Sequence, residues 1–227
     1  MCFVIEPGSP DDAPAAARLI AETDVALFTF CGGGDLGVWV ELSEWEWRQE
    51  HGIYNWAMSH VARLDGRTVG LLVSYSSSQH DTIDWTLGSA RKHLSPERWG
   101  RVAAAQRLVP FLFPSIPEDA YYVQNVATDP SVQGRGLGRR LMELAFDRGR
   151  ATGCRGCHLD VDSSTPAVQF YERLGMRVLV KTEVPDIPGV HTHFRMVIDL
   201  GAPCSDADVE AGPERPIKLQ STWTKPD

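Results

Sequence analysis

The sequence predicts an α/β (α+β) chain whose helices pack on a mixed sheet. Three observations carry that reading. Periodic segments alternate as β-α, a helical stretch, a β-hairpin, a variable stretch, then β-α-β-α-β-β. Asp65-Gly66 stands between two apolar runs, a strong hairpin signal. A strand from Tyr121 to Thr128 passes through a glycine-rich turn into an amphipathic helix. The 227 residues are 43% hydrophobic and 23% charged, ordinary globular usage, and a chain this long buries roughly 70% of its unfolded surface. Disordered, collagenous and disulfide-framework classes are excluded. The net charge of −8 argues against a nucleic-acid partner and favours cationic small partners. No stretch approaches 18 apolar residues, so no membrane partner is read. The start, Met1 to Pro7, lacks a basic region and has too short an apolar run for a signal peptide. With five cysteines, an odd number, this predicts reduced thiols in a cytoplasmic protein.

Residues 3–6 read as a short strand, and Ser9-Pro10-Asp11-Asp12 opens a helix over Ala15–Ala21. Cys31-Gly32-Gly33-Gly34 interrupts what precedes it. Residues 35–56 hold four of the seven tryptophans together with Glu41, Glu44, Glu46 and Glu50, and read as a helix or a lid. The hairpin pairs Trp56–Leu64 with Thr68–Ser74. A helix is expected near 97–109, among Pro96, Pro110, Pro114 and Pro117. Leu137, Leu141, Leu144 and Ala145 form a helical stripe that Gly153 ends. Cys157–Val161 is a strand. Thr165 reads as an N-cap with Pro166 at the first helical position. Ala167, Phe170, Tyr171 and Leu174 follow at i, i+3, i+4 and i+7, closed by Gly175. Met176–Val184 and Phe194–Leu200 are the last strands. The tail from Gly201 to Asp227 has four prolines and few large apolar residues, which predicts disorder or loose attachment.

The chemistry is concentrated in the segment from Asn125 to Arg140. Three glycines in five residues, Gly134, Gly136 and Gly138, precede a helix start. Glycines let backbone N–H groups approach a ligand, and a helix N-terminus adds unpaired donors with partial positive charge. Together they suit a phosphate or pyrophosphate. Arg135, Arg139 and Arg140 oppose the helix dipole, which makes sense beside a polyanion. The spacing is neither G-x-G-x-x-G nor G-x-x-x-x-G-K-[ST]. A glycine turn ahead of a solvated basic helix remains the alternative.

Gln133-x-x-Gly136-x-Gly138 resembles the Q/R-x-x-G-x-G/A acyl-CoA motif of the GNAT superfamily of N-acetyltransferases. Phe170-Tyr171-Glu172-Arg173-Leu174-Gly175-Met176 resembles that superfamily's second motif, with Met where Phe is usual. The likeness is specific over 121–180, extends over 3–200 and is absent from the tail. It implies a mixed, mostly antiparallel sheet flanked by helices, one domain over 1–200, and acetyl-CoA as the acyl-donor cosubstrate. Val126, Ala127 and Thr128 would present backbone groups to the acetyl carbonyl and pantetheine arm. The amides of Gly134, Arg135, Gly136, Leu137, Gly138 and Arg139 would hold the pyrophosphate, with Gln133 and Phe170 also on the cofactor. Tyr171 matches the tyrosine that protonates the departing thiolate, a phenol being a proton donor at neutral pH; its alternative is a core aromatic. Thr165 stands where the family often has Asn, and reaches less far toward the thiol. The acceptor would be a small-molecule or protein amine, and a homodimer is a superfamily-level expectation. A non-catalytic acyl-CoA-binding or regulatory module is the competing reading.

Other signals are weaker. Cys154-Arg155-Gly156-Cys157-His158 matches the c-type haem pattern, but without an export signal it reads as a helix-to-strand turn. His191-x-His193 reads as a loop entering the last strand rather than a metal site, so no metal is assigned. In GNAT-like proteins the region after the first helix often shapes the acceptor site, and aromatics with carboxylates, as in 39–56, suit an ammonium; a surface helix packing its tryptophans on the sheet is the other reading. Glu118, Asp119, His80, Asp81, Asp84 and Glu44, or a water chain, are the candidates for a general base.

Overall fold

A computed structural model describes residues 3–50, 52–80, 90–185, 187, 189–190 and 192–201. The tail beyond Gly201, together with Asp81, Asp84 and His191, lies outside the described residues. In chain order come β1 (Val4–Pro7), α1 (Ala13–Thr23), α2 (Val25–Cys31), α3 (Leu36–Trp47), β2 (Ser59–Leu64), β3 (Arg67–Ser76) and α4 (Ser77–His80). Then follow α5 (Pro96–Gln106), β4 (Ala120–Thr128), α6 (Leu137–Ala151), β5 (Gly156–Asp162), α7 (Ala167–Arg173), β6 (Arg177–Thr182) and β7 (His193–Asp199). The strands form one sheet in the order β1-β2-β3-β4-β5-β7-β6. Every neighbouring pair is antiparallel except β4 with β5, which α6 joins as a crossover.

Helix starts follow local chemistry. Ser9 and Asp12 make a reciprocal capping box at a short 3-10 turn that leads into α1. Asp24, Asp35 and Ser95 cap α2, α3 and α5 through their side chains. Asp65 and Gly66 both adopt positive φ, 50° and 77°, the hairpin geometry expected of that dipeptide. Two expected boundaries differ. Trp56–Met58 is a 3-10 turn whose amide at Met58 is held by Asn55 Oδ1, so β2 starts only at Ser59. Thr165 is not the cap of α7: its hydroxyl donates to Asp162 O at 3.0 Å, and Pro166 takes the cap position. The Thr165 hydroxyl is thus turned back onto the preceding strand end, and no side chain caps α7.

Period-two alternation splits the sheet between two cores. Leu71 and Val73 of β3 pack with α1, α2, α3 and α5, while Leu72 packs with Leu137, Leu141 and Met142 of α6. Strands buried on both faces read as continuous apolar runs, as Val69–Val73 does. In the α6 core Tyr171 and Met176 seat the second motif. Among the described residues no single helix is long and apolar enough to cross a membrane. The bent pair α2 and α3 passes that test jointly, yet Leu27, Phe28, Val38, Trp39 and Leu42 are buried in the protein's own core.

The register fixes where the sheet opens. Between β3 and β4, Val73 faces Asn125 and Ser74 faces Val123, so Gln124 is the extra residue of a β-bulge. Bulges bend the strand and raise its twist. On the other side β4 pairs with β5 only from Ala120 and Gly156 to Val123 and Leu159. Past the bulge, β4 continues along β3 to Thr128 while β5 continues along β7 to Asp162. The two strands part at Gln124 and leave facing edges without a strand partner.

The first helix is anchored by charge. Asp12 accepts from Arg63 Nη1 at 2.9 Å and from Thr68 Oγ1 at 2.6 Å, and Arg63 also bonds Glu6. Burial works to raise the Asp12 pKa, but the bonds from Thr68, Ser9 and Arg63 outweigh it and hold it below 3.8. Asp12→Ala leaves Arg63 half-paired and uncaps the turn, and is expected to cost about 3 kcal/mol in chemical denaturation at pH 7. A depressed carboxyl stabilises fully above its unfolded pKa and stops doing so as pH falls through its folded value. The gap between wild type and variant therefore narrows below pH 3.8.

Candidate active site

A single cleft of about 1950 Å³ runs from the parted strands to the helical layer above them. Small-molecule pockets span roughly 300–1,000 Å³, so this one has room for two reactants. One arm is bounded by Val126, Ala127 and Thr128 on β4 and by Asp160, Val161 and Asp162 on β5. It continues along the loop from Gln133 to Arg139 and is closed by Thr165, Phe170 and Tyr171. Every residue that sequence reasoning assigned to the acyl-carrier site lines it except Arg135.

The loop is shaped by left-handed glycines. Gly134 and Gly136 have φ of 73° and 80°, and a Cβ placed on either would meet nothing within 4 Å. The backbone there borders open space rather than packed atoms. The first helical bond of α6 runs from Arg140 N–H to Gly136 O at 3.2 Å. The amides of the preceding turn are thus the donors that a helix leaves for another partner. The arginines beside the loop have partners within the protein. Arg140 donates to Phe3 O at 3.3 Å, and Arg139, half exposed, pairs with Glu143 at 3.6 Å. Ahead of the loop, Asp129 caps a short turn through Ser131. Those bonds, reinforced by Arg18, bring its pKa down to about 2.

The second arm is aromatic and acidic. Trp39 stacks on Phe28 with centroids 5.3 Å apart and meets Tyr54 edge-on at 6.1 Å. Glu46, buried, accepts from the amide of Ile53 at 2.7 Å. The Trp-rich helix α3 keeps Gly37 and Glu41 in solvent, buries Trp39 and Trp47 in the core shared with β2 and β3, and walls the cleft with Trp39, Trp45 and Glu46. Trp39 Nε1 and Asn125 Oδ1, both on the cleft wall, are buried without a hydrogen-bond partner. Such groups are rare in proteins and mark places where a ligand or water completes the set. Of the base candidates, Glu44, Glu118 and Asp119 are not on the wall, while His80 is.

Residues that sequence reasoning missed hold the junction of the two arms. Arg195 of β7, fully buried, grips Asp160 with Nε–Oδ1 at 2.8 Å and Nη2–Oδ2 at 2.7 Å. Its Nη2 also donates to Pro114 O at 2.7 Å, and Tyr122 Oη donates to Asp160 Oδ2 at 2.7 Å. Burial alone would lower the Arg195 pKa, but the Asp160 bonds outweigh it and keep the guanidinium charged. Burial raises the phenols of Tyr54, Tyr75, Tyr122 and Tyr171 above 10, so each is a neutral hydroxyl at physiological pH. His193 Nε2 lies 3.0 Å from Asp24 Oδ2. Its neighbour His191 lies outside the described residues, and among those described no cluster of three or more His, Cys, Asp or Glu could hold a metal. Cys154 and Cys157 are free and buried, at the turn into β5 and on it.

The family model of the acetyltransferase (GNAT) family matches residues 26–176, two thirds of the chain, and the protein belongs to that family. It is similar to the mycothiol acetyltransferase of Gordonia bronchialis, 28% identical over 173 residues, covering 72% of this chain and 47% of that one. It is also similar to the glucosamine 6-phosphate N-acetyltransferase of Trypanosoma brucei brucei, 39% identical over 56 residues, covering 25% and 37%. The chain thus matches less than half the length of either relative. An N-acetyltransferase from Staphylococcus aureus Mu50 shares the fold at a TM-score of 0.59 and 16% identity, covering 86% of this chain and all of that one.

The Arg195–Asp160 pair yields a direct test. Arg195→Met strands a buried carboxylate and is expected to cost about 3–5 kcal/mol in urea unfolding. Adding Asp160→Asn, which removes the orphaned charge, recovers part of the loss.

Proposed function

We propose that the chain transfers the acetyl group of acetyl-CoA to an amine of a small-molecule or protein acceptor by direct attack. The observation that carries this is the parting of β4 from β5 beside the Gly134–Arg139 loop. Unpaired strand edges offer N–H and C=O groups to an extended amide-bearing arm, as an added strand would take them. The open glycine backbone and free helix-start amides suit a diphosphate. These residues fit acetyl-CoA, which when bound supplies an electrophilic thioester carbonyl. The β4 amides near Val126 and Ala127 would stabilise the oxyanion. Tyr171, a neutral hydroxyl between the loop and β5, would hydrogen-bond the leaving sulfur and hand it a proton.

The acidic and aromatic second arm supports a cationic acceptor, with Glu22, Asp24 and Trp39 on its wall. Because one relative is a glucosamine 6-phosphate N-acetyltransferase, an amino sugar phosphate heads the acceptor panel. A diamine and a short peptide with a free N-terminus complete it.

Calorimetry should show acetyl-CoA binding with Kd on the order of 10 µM, and Gly136→Glu should abolish it by placing a bulky anion at a left-handed position. In a thiol-release assay over the panel, Tyr171→Phe should lose about tenfold or more in kcat. No acetyl-CoA binding by the wild type refutes the donor assignment. Binding without turnover of any amine marks a non-catalytic module instead.

A further inference from the structure

The α1–α2 junction crosses the mouth of the parted strands. On the β4 side, Thr23 Oγ1 accepts from Asn125 Nδ2 at 2.8 Å. One residue later, Asp24 Oδ2 meets His193 Nε2 at 3.0 Å. His193 opens β7 and stands opposite Asp162 of β5 in register. Two consecutive residues therefore tie together strands that lie on opposite sides of the opening. Both Asp24 and His193 line the cleft. The histidine side chain is 3% exposed and the carboxylate 14%. The acid is the member of the pair that the cleft can reach. The edge of the Phe113 ring packs against the imidazole, centroids 5.8 Å apart.

We infer that Asp24 and His193 together form the proton acceptor for the attacking amine. The inference rests on the acetyl-transfer reading above and adds the group that reading lacks. Asp24 meets the acceptor's ammonium and takes one of its protons onto the carboxylate, which His193 holds in place by donating its Nε2–H to Oδ2. The freed lone pair forms the C–N bond at the thioester carbon, and the carbonyl π pair moves to oxygen. That pair returns as the C–S bond breaks, and the sulfur leaves with the bonding electrons. The nitrogen gives up a second proton, which reaches the sulfur through the Tyr171 hydroxyl. The third proton of the ammonium stays on the amide. The pair starts with one negative charge and ends neutral, as a carboxylic acid beside a neutral imidazole, until solvent removes the proton.

The surrounding charges fit that role. From β7 itself, Arg195 is neutralised by Asp160. From β5, Asp162 stands across the ladder. Glu22 shares the cleft wall at the end of α1, and Lys181 of β6 lies over the Phe194 ring. Asp162 and Glu22 keep the surroundings of the pair negative, which suits a cationic acceptor.

A purely structural staple is the competing account, since Asp24 Oδ1 also caps α2 through Leu27 N–H at 2.9 Å. Asp24→Asn separates the two, because Asn caps as well as Asp but cannot take the proton. The test measures kcat/KM from pH 6 to pH 10 for wild type, Asp24→Asn and His193→Gln, with the fastest amine of the panel. Melting temperature and acetyl-CoA binding are followed alongside. Both variants should fall about 100-fold at pH 7, with acetyl-CoA binding and, for Asp24→Asn, melting temperature held. The deficit should shrink as pH nears the amine's own pKa, where solvent does the deprotonation. Full turnover of Asp24→Asn at pH 7, or a loss equal at every pH, overturns the inference. If Asp24→Asn fails to fold, the His193→Gln profile decides by the same criterion. A wild type that binds acetyl-CoA but acetylates no amine refutes the acetyl-transfer reading and this inference with it.

Discussion

The parting of β4 from β5 is the constraint from which the rest of the molecule follows. A parallel pair normally uses its whole length, and here it stops after Val123 and Leu159. The extra residue at Gln124 bends β4 at that point, so β4 stays with β3 while β5 stays with β7. Two strands that diverge inside one sheet leave backbone groups that nothing in the sheet can satisfy. Such an opening persists only if both flanks are held independently. α6 packs on β3 and β4 from one side, α1 packs on them from the other, and Arg195 clamps β5 to β7 and to the segment ahead of β4.

The opening also explains where the polar burial is spent. Asp160, Tyr122, Arg195, Asn125, Asp24 and His193 cluster around the divergence, apart from other buried polar groups such as Asp12 and Glu46. Buried ion pairs add little stability compared with packed hydrocarbon. Their concentration at the junction of two cleft arms is better understood as positioning than as glue. The glycine loop follows the same logic. Left-handed Gly134 and Gly136 leave the backbone bare on the side that faces the opening, and α6 then starts with its unpaired amides beside it.

Local chemistry made much of this legible in the sequence. The Asp65-Gly66 turn, the stripe of Leu137, Leu141 and Ala145, and the second motif around Tyr171 are all encoded within a few residues, and the fold places them as expected. The glycine-loop wall of the cleft was legible for the same reason, since its residues fall in two short segments. What escaped was nonlocal. Nothing in the run from Ala120 to Thr128 announces that Gln124 bulges, because that depends on the register with β3. Arg195 and Asp160 are 35 positions apart, and His193 and Asp24 are 169 apart; only the ladder brings them together. Thr165 was misread because a threonine before a proline satisfies the N-cap pattern even when its hydroxyl bonds the preceding strand.

The two arms of the cleft come from different stretches of chain. The arm along the glycine loop is built from 126–171, whereas most of the aromatic arm is built from 22–116. They also rest on separate cores, one under α6 and one under α1 to α3. The arrangement is modular: side chains of the aromatic half can change without disturbing the core beneath the glycine loop. A designer seeking a new specificity would recombine the amino-terminal portion first.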